Sequence, residues 1–89
     1  MGLVAVTLRI MPDGPEINLN RIKKEVERII GSHDNVELKN AAIKPIGFGL
    51  SALEILMVMP DAGGSDKIEE ELAGIEGVES VEAGDITLL

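Results

Sequence analysis

The sequence predicts an α+β fold, a ferredoxin-like βαββαβ sandwich whose four-stranded antiparallel sheet carries both helices on one face. Three observations lead there. The hydrophobic period switches between two and 3.6 in the order β-α-β-β-α-β along the chain. Eighty-nine residues suffice for one domain and not for two, so residues 1–89 read as a single unit. Right-handed crossovers place the first and third strands in the middle of such a sheet, and those are the two most apolar strands.

Leu3 to Met11 alternates, with Val4, Val6, Leu8 and Ile10 on one side and Ala5, Thr7 and Arg9 on the other. Pro12-Asp13-Gly14-Pro15 breaks that strand. A helix begins at Asn18 or Asn20, either of which can cap it. Leu19, Ile22, Val26, Ile29 and Ile30 keep helical spacing as far as Gly31, a natural terminator. Ser32 to Asn35 is a turn, and Val36 to Lys44 reads as a second, less apolar strand. Pro45 marks it as an edge strand, or as that strand's end.

Gly47-Phe48-Gly49-Leu50 is a sharp connection into the most apolar segment, Ser51 to Met59. Leu53, Ile55, Met57 and Met59 lie on one face of it, with Ala52, Leu56 and Val58 on the other. Apolar on both faces, this strand belongs inside the sheet. Pro60 to Gly64 is a loop, and Ser65 caps a second helix with Asp66 and Glu69 in its first turns. Ile68, Leu72 and Ile75 form its buried stripe, Gly77 closes the next turn, and Val78 to Ala83 is the fourth strand. Gly84 then precedes a short tail, Asp85 to Leu89.

The composition excludes several functions. With no cysteine there is no disulfide framework and no thiolate metal site, and one histidine, His33, cannot hold zinc alone. With a single aromatic, Phe48, the chain has no platform for stacking bases. The net charge of −8 repels phosphate backbones, so no direct nucleic-acid partner is expected. That charge is uneven. Residues 1–47 hold seven bases and six acids, whereas residues 48–89 hold one base and ten acids. No basic n-region or bilayer-length apolar run is present, so neither membrane insertion nor export is expected and the location read from the sequence is cytoplasmic.

No constellation for covalent chemistry emerges, so the chain does not read as an enzyme, and no cofactor is called for. Glu69, Glu70 and Glu71 project about 100° apart on a helix and cannot converge on one ion. His33 beside Asp34 lacks a nucleophile and a pocket, and Met57 and Met59 read as core filler. Phe48 is the informative residue. A tight turn can display an aromatic between two glycines as an interface anchor; alternatively, a β-bulge can fold the ring back into the core.

The chain resembles the archaeal elongation factor 1-beta family over nearly its whole length. The likeness rests on Val6-Thr7-Leu8-Arg9-Ile10-Met11-Pro12, on Pro45-Ile46-Gly47-Phe48-Gly49-Leu50 with Ala52-Leu53, and on Gly74-Ile75-Glu76-Gly77-Val78. The resemblance implies guanine-nucleotide exchange on elongation factor 1-alpha, bound in its GDP form, without covalent chemistry. It also implies a partner-binding set of Pro45, Ile46, Gly47, Phe48, Gly49 and Leu50, together with Leu88 and Leu89 at the far end of the chain. Eukaryotic relatives place a penultimate lysine where this chain has Leu88, so no ion-mimicking lysine acts from that position. They also carry a long N-terminal extension, so the resemblance covers the exchange module alone. A monomer is expected. A small ACT-like regulatory domain shares the fold and is the alternative; in it, Ala5, Leu56 and Val58 would suit sheet-to-sheet dimerisation.

Overall fold

The computed structural model describes residues 2–60 and 66–89. Its elements are β1 (Leu3–Pro12), α1 (Leu19–Gly31), β2 (Glu37–Gly47), β3 (Leu50–Pro60), α2 (Asp66–Ala73) and β4 (Val78–Leu88). They form one antiparallel sheet in the order β2-β3-β1-β4, so the two most apolar strands are central and β2 is an edge. The predicted cap Ser65 and loop residues 61–64 lie outside the described residues.

The register sorts the paired strand residues onto the two faces. On the helix side, cross-strand rows run Ile43-Leu53-Ile10-Val81, Ala41-Ile55-Leu8-Ala83 and Leu38-Met57-Val6-Ile86. The central members of these rows are fully buried beneath Ile22, Val26, Ile29 and Ile30 of α1 and Ile68 and Leu72 of α2. This is a continuous aliphatic core, filled by Met57 and Met59 where branched side chains leave gaps. The Asn18 carboxamide caps α1 by accepting from the backbone N–H groups of Asn20 and Arg21 at 2.9 and 3.3 Å.

Two loops lock the top of the sheet. Arg21 donates from Nη2 to the Glu76 carbonyl at 2.6 Å, and the Asp13 N–H donates to the Gly77 carbonyl at 2.9 Å.

Three sequence expectations are corrected. β2 continues through Pro45 to Gly47, because an edge strand is hydrogen-bonded on one side only and tolerates a proline. Residues 85–88 after Gly84 are not part of a tail but the last four residues of β4. Gly84 and Asp85 together face Thr7, a two-against-one bulge that lets pairing resume at Val6–Ile86 and reach Val4–Leu88. A Cβ on Gly84 would stand 3.3 Å from the Thr7 carbonyl oxygen, so glycine there serves close backbone approach. Ile75 is buried as expected but lies beyond α2, which ends at Ala73.

The helical layer is shorter than the sheet. The thirteen residues of α1 span about 20 Å and the eight of α2 about 12 Å, against about 35 Å for the strands. Strand ends on the helix side are therefore left uncovered: Ile43 at the top of β2, and Ile86 and Leu88 at the bottom of β4.

Candidate partner-binding surface

The β2–β3 hairpin closes through Phe48-Gly49, between the paired residues Gly47 and Leu50. Of the two-residue loops that match the twist of their strands, the type I′ turn needs positive φ at both central positions, and asparagine followed by glycine is its favoured sequence. Here φ is 55° at Phe48 and 76° at Gly49, with Gly47 at 113°. Phe48 is the only non-glycine residue at positive φ among those described. The left-handed conformation costs a bulky L-residue about 1–2 kcal/mol. The ring recovers nothing by burial, since its relative exposure is 104%. The turn therefore displays Phe48, and the register shift between Pro45 and Gly47 does not fold the ring into the core.

Pro45, Ile46, Gly47 and Gly49 are exposed around it and Leu50 is half-buried. Ile43 adds an exposed aliphatic side chain to the same hairpin, a residue the sequence reading passed over. Its signal is the mismatch between a long strand and a short helix.

Leu88 and Leu89 lie elsewhere. Leu88 pairs with Val4, which pairs with Met59 at the far end of β3 from Leu50. Nine residues of strand, about 30 Å, separate the two groups. Leu88 and Leu89 are instead gathered with Leu3 and Ile86, all exposed, and the Leu89 N–H donates to the Leu3 carbonyl at 2.9 Å. The expected set is thus two apolar poles at opposite ends of the sheet.

The strand order also converts the sequence's charge asymmetry into a spatial one. α1 packs over β2 and β3, whereas α2 packs over β4. The α1–β2 flank carries six bases and three acids, and the α2–β4 flank one base and seven acids. His33 meets Glu71 rather than the neighbouring Asp34, its Nε2 standing 2.6 Å from the Glu71 carboxylate. That contact joins the turn after α1 to α2. Among the described residues, no group of three or more histidines and carboxylates could hold a metal, and no helix is long and apolar enough to cross a membrane.

Residues 5–89, which take in most of β1 and every later element, match the EF-1 guanine nucleotide exchange domain. The chain belongs to that family. Elongation factor 1-beta of Archaeoglobus fulgidus is 42% identical over 90 residues, covering 100% of both chains. Its counterpart in Methanothermobacter thermautotrophicus is 41% identical over 90 residues, covering 100% of this chain and 99% of that one. The exchange domain therefore has a nucleotide-exchange role in translation elongation.

Solved structures extend the comparison to the fold alone. The C-terminal domain of the MgtC protein from Mycobacterium tuberculosis superimposes with a TM-score of 0.70 at 17% identity, covering 93% of this chain and 87% of that one. The ACT domain from GTP pyrophosphokinase of Chlorobium tepidum gives 0.63 at 13%, covering 94% and 100%. These likenesses show the fold alone, and a fold does not fix a function.

Proposed function

We propose that residues 1–89 act as one exchange domain that promotes replacement of GDP by GTP on elongation factor 1-alpha, without covalent chemistry. Phe48 carries the reading. An aromatic held in the left-handed region and left wholly in water serves neither stability nor solubility, and such outliers mark functional positions. A ring offered this way fits the anchor role of an interface hot spot. Gly47 and Gly49 shape the turn, and Pro45, Ile46 and Leu50 rim it. Leu88 and Leu89 supply a second contact about 30 Å away, so the GTPase is engaged over the length of the sheet.

Exchange follows if these contacts form better with the nucleotide-loosened GTPase than with its tight GDP-bound form, which shifts the population toward release. A leucine at position 88 brings no charge to a magnesium site, so loosening rests on the shape of the docked complex. Release of a fluorescent GDP analogue from purified elongation factor 1-alpha, with and without the chain, tests the reading. Acceleration supports it. Unchanged release, together with a calorimetric response to amino acids, would support the ACT-like alternative instead.

A further inference from the structure

Among the described residues, no element covers the sheet face away from the helices, and the side chains on that face follow a pattern with a consequence for assembly. Reading across the order β2-β3-β1-β4, successive rows on this face are Ala42-Glu54-Arg9-Glu82 and Asn40-Leu56-Thr7, the latter at the β4 bulge, while above them Lys44 pairs with Ala52 and Met11 with Ser80. Glu37-Val58-Ala5-Thr87 follows, and the pair Pro60-Leu3 lies beyond it. Ala5, Leu56 and Val58 are half-buried, held only by their neighbours on the sheet. Arg9 lies directly between Glu54 and Glu82 in register, yet among the described residues Arg9, Lys44, Glu54 and Glu82 form no ion pair and no side-chain hydrogen bond. Opposite charges in register and left unpaired can be satisfied from outside.

From this pattern we infer that the open face binds a second copy of the chain, sheet on sheet, about a two-fold axis running along the strands between β1 and β3. That axis keeps each row at its own level and lays β1 over β3 of the second copy and β4 over its β2. Arg9 then meets Glu54 of the second copy, and Glu82 meets the second copy's Ala42 and Lys44. Below them Leu56 faces Thr7 and Val58 faces Ala5, large against small. Because the axis is two-fold, each contact occurs twice, which is the self-complementarity an isologous interface needs.

The surface relief agrees. One shallow depression is bounded by Thr7, Lys44, Glu54 and Leu56, where the arriving Arg9 would sit. A second depression, lined by Thr7, Arg9, Glu54, Glu82, Ala83 and Gly84, lies at the level of the second copy's Asn40 and Ala42. Four strands of this length present roughly 600 Å² per copy, so two copies bury roughly 1,200 Å², the lower bound for a specific interface. Two twisted sheets packed this way align at about −30°. This assembly departs from the monomer expected of the sequence and leaves the Phe48 turn free.

The test uses the whole chain and two charge reversals. Light scattering after size exclusion, at concentrations up to roughly 1 mM, is expected to show a shift from the 9.5 kDa chain toward twice that mass. Arg9→Glu alone places glutamate against glutamate across the axis, and Glu54→Arg alone places arginine against arginine, so each variant is expected to stay monomeric. Mixed together they restore both cross-axis pairs, and the dimer is expected to return as a heterodimer. That rescue cannot arise from repairing contacts within one chain. Circular dichroism checks that each variant is folded, and Val58→Lys asks the same question if one is not. A wild type that stays monomeric throughout overturns the inference, as it would if the partner GTPase alone covers this face. A dimer indifferent to Arg9→Glu, Glu54→Arg and Val58→Lys overturns it equally.

Discussion

Phe48 and Leu88 stand at opposite ends of one sheet. Phe48 caps the hairpin beside Leu50, while Leu88 pairs with Val4, whose other partner is Met59. About 30 Å of strand separates them, and no side chain of one group can reach the other. Their contributions to exchange should therefore be independent. Leu88 is 70% exposed, so Leu88→Ala should leave stability within about 0.5 kcal/mol of the parent. Nucleotide-release kinetics on Phe48→Ala, Leu88→Ala and the double variant should give free-energy losses that add within about 0.5 kcal/mol. A large coupling energy would mean that the poles act through one another.

The core is an aliphatic layer with little reserve. Leu53 is fully buried between Ile10 and Ile43 in its row. Leu53→Ala should cost about 2–5 kcal/mol, a large share of the 5–15 kcal/mol typical of a small domain. Urea unfolding measures it, and a loss below about 1 kcal/mol would contradict the packing described.

Asn18 holds the first turn of α1 through two backbone N–H groups. Asn18→Ala should lower stability by about 1 kcal/mol in the same urea experiment, whereas Asn18→Asp should retain most of it. Equal losses in both variants would remove the cap from the account.

Much of the fold was legible because single residues carry physical instructions. The alternation of Val4, Val6, Leu8 and Ile10 dictates a one-sided strand, and Leu53 to Met59, apolar on both faces, can sit comfortably only inside a sheet. What escaped was set by neighbours. Pro45 reads either as an edge-strand residue or as a strand end, and its pairing with Ser51 decides for the edge. Gly84 reads as a break because the bulge that absorbs it belongs to the pairing with Thr7 and not to β4 alone. The exposed turn at Phe48 was one of two readings, since spacing does not reveal φ. Ile43, Ile86 and Leu3 carried no local signal at all. Their exposure follows from strand and helix lengths and from the level at which strands pair.

Gly49 and Gly77 both hold positive φ, at 76° and 96°, but in different surroundings. A Cβ on Gly49 would meet nothing within 4 Å, whereas one on Gly77 would stand 2.9 Å from Arg21 Nη2 and 3.2 Å from Ile17 Cγ2. Moving Arg21 would break its bond to the Glu76 carbonyl. Gly49→Ala should therefore cost about 1 kcal/mol from backbone strain. Gly77→Ala should cost about 2–3 kcal/mol, adding displacement and a lost hydrogen bond. Thermal unfolding of the pair orders them, and the reverse order would contradict the described turn.

The central claim is that Phe48 is kept for its partner at the expense of its turn. Asparagine is the residue that the first position of such a hairpin loop favours. Phe48→Asn should thus relieve the left-handed strain and raise stability by about 1 kcal/mol, or a few degrees in Tm. The same sample should lose most of its power to release a fluorescent GDP analogue from elongation factor 1-alpha, because an anchor of this kind is worth about 2–4 kcal/mol. A more stable variant that no longer accelerates release is the predicted result. A variant that accelerates release as well as the parent would contradict the account.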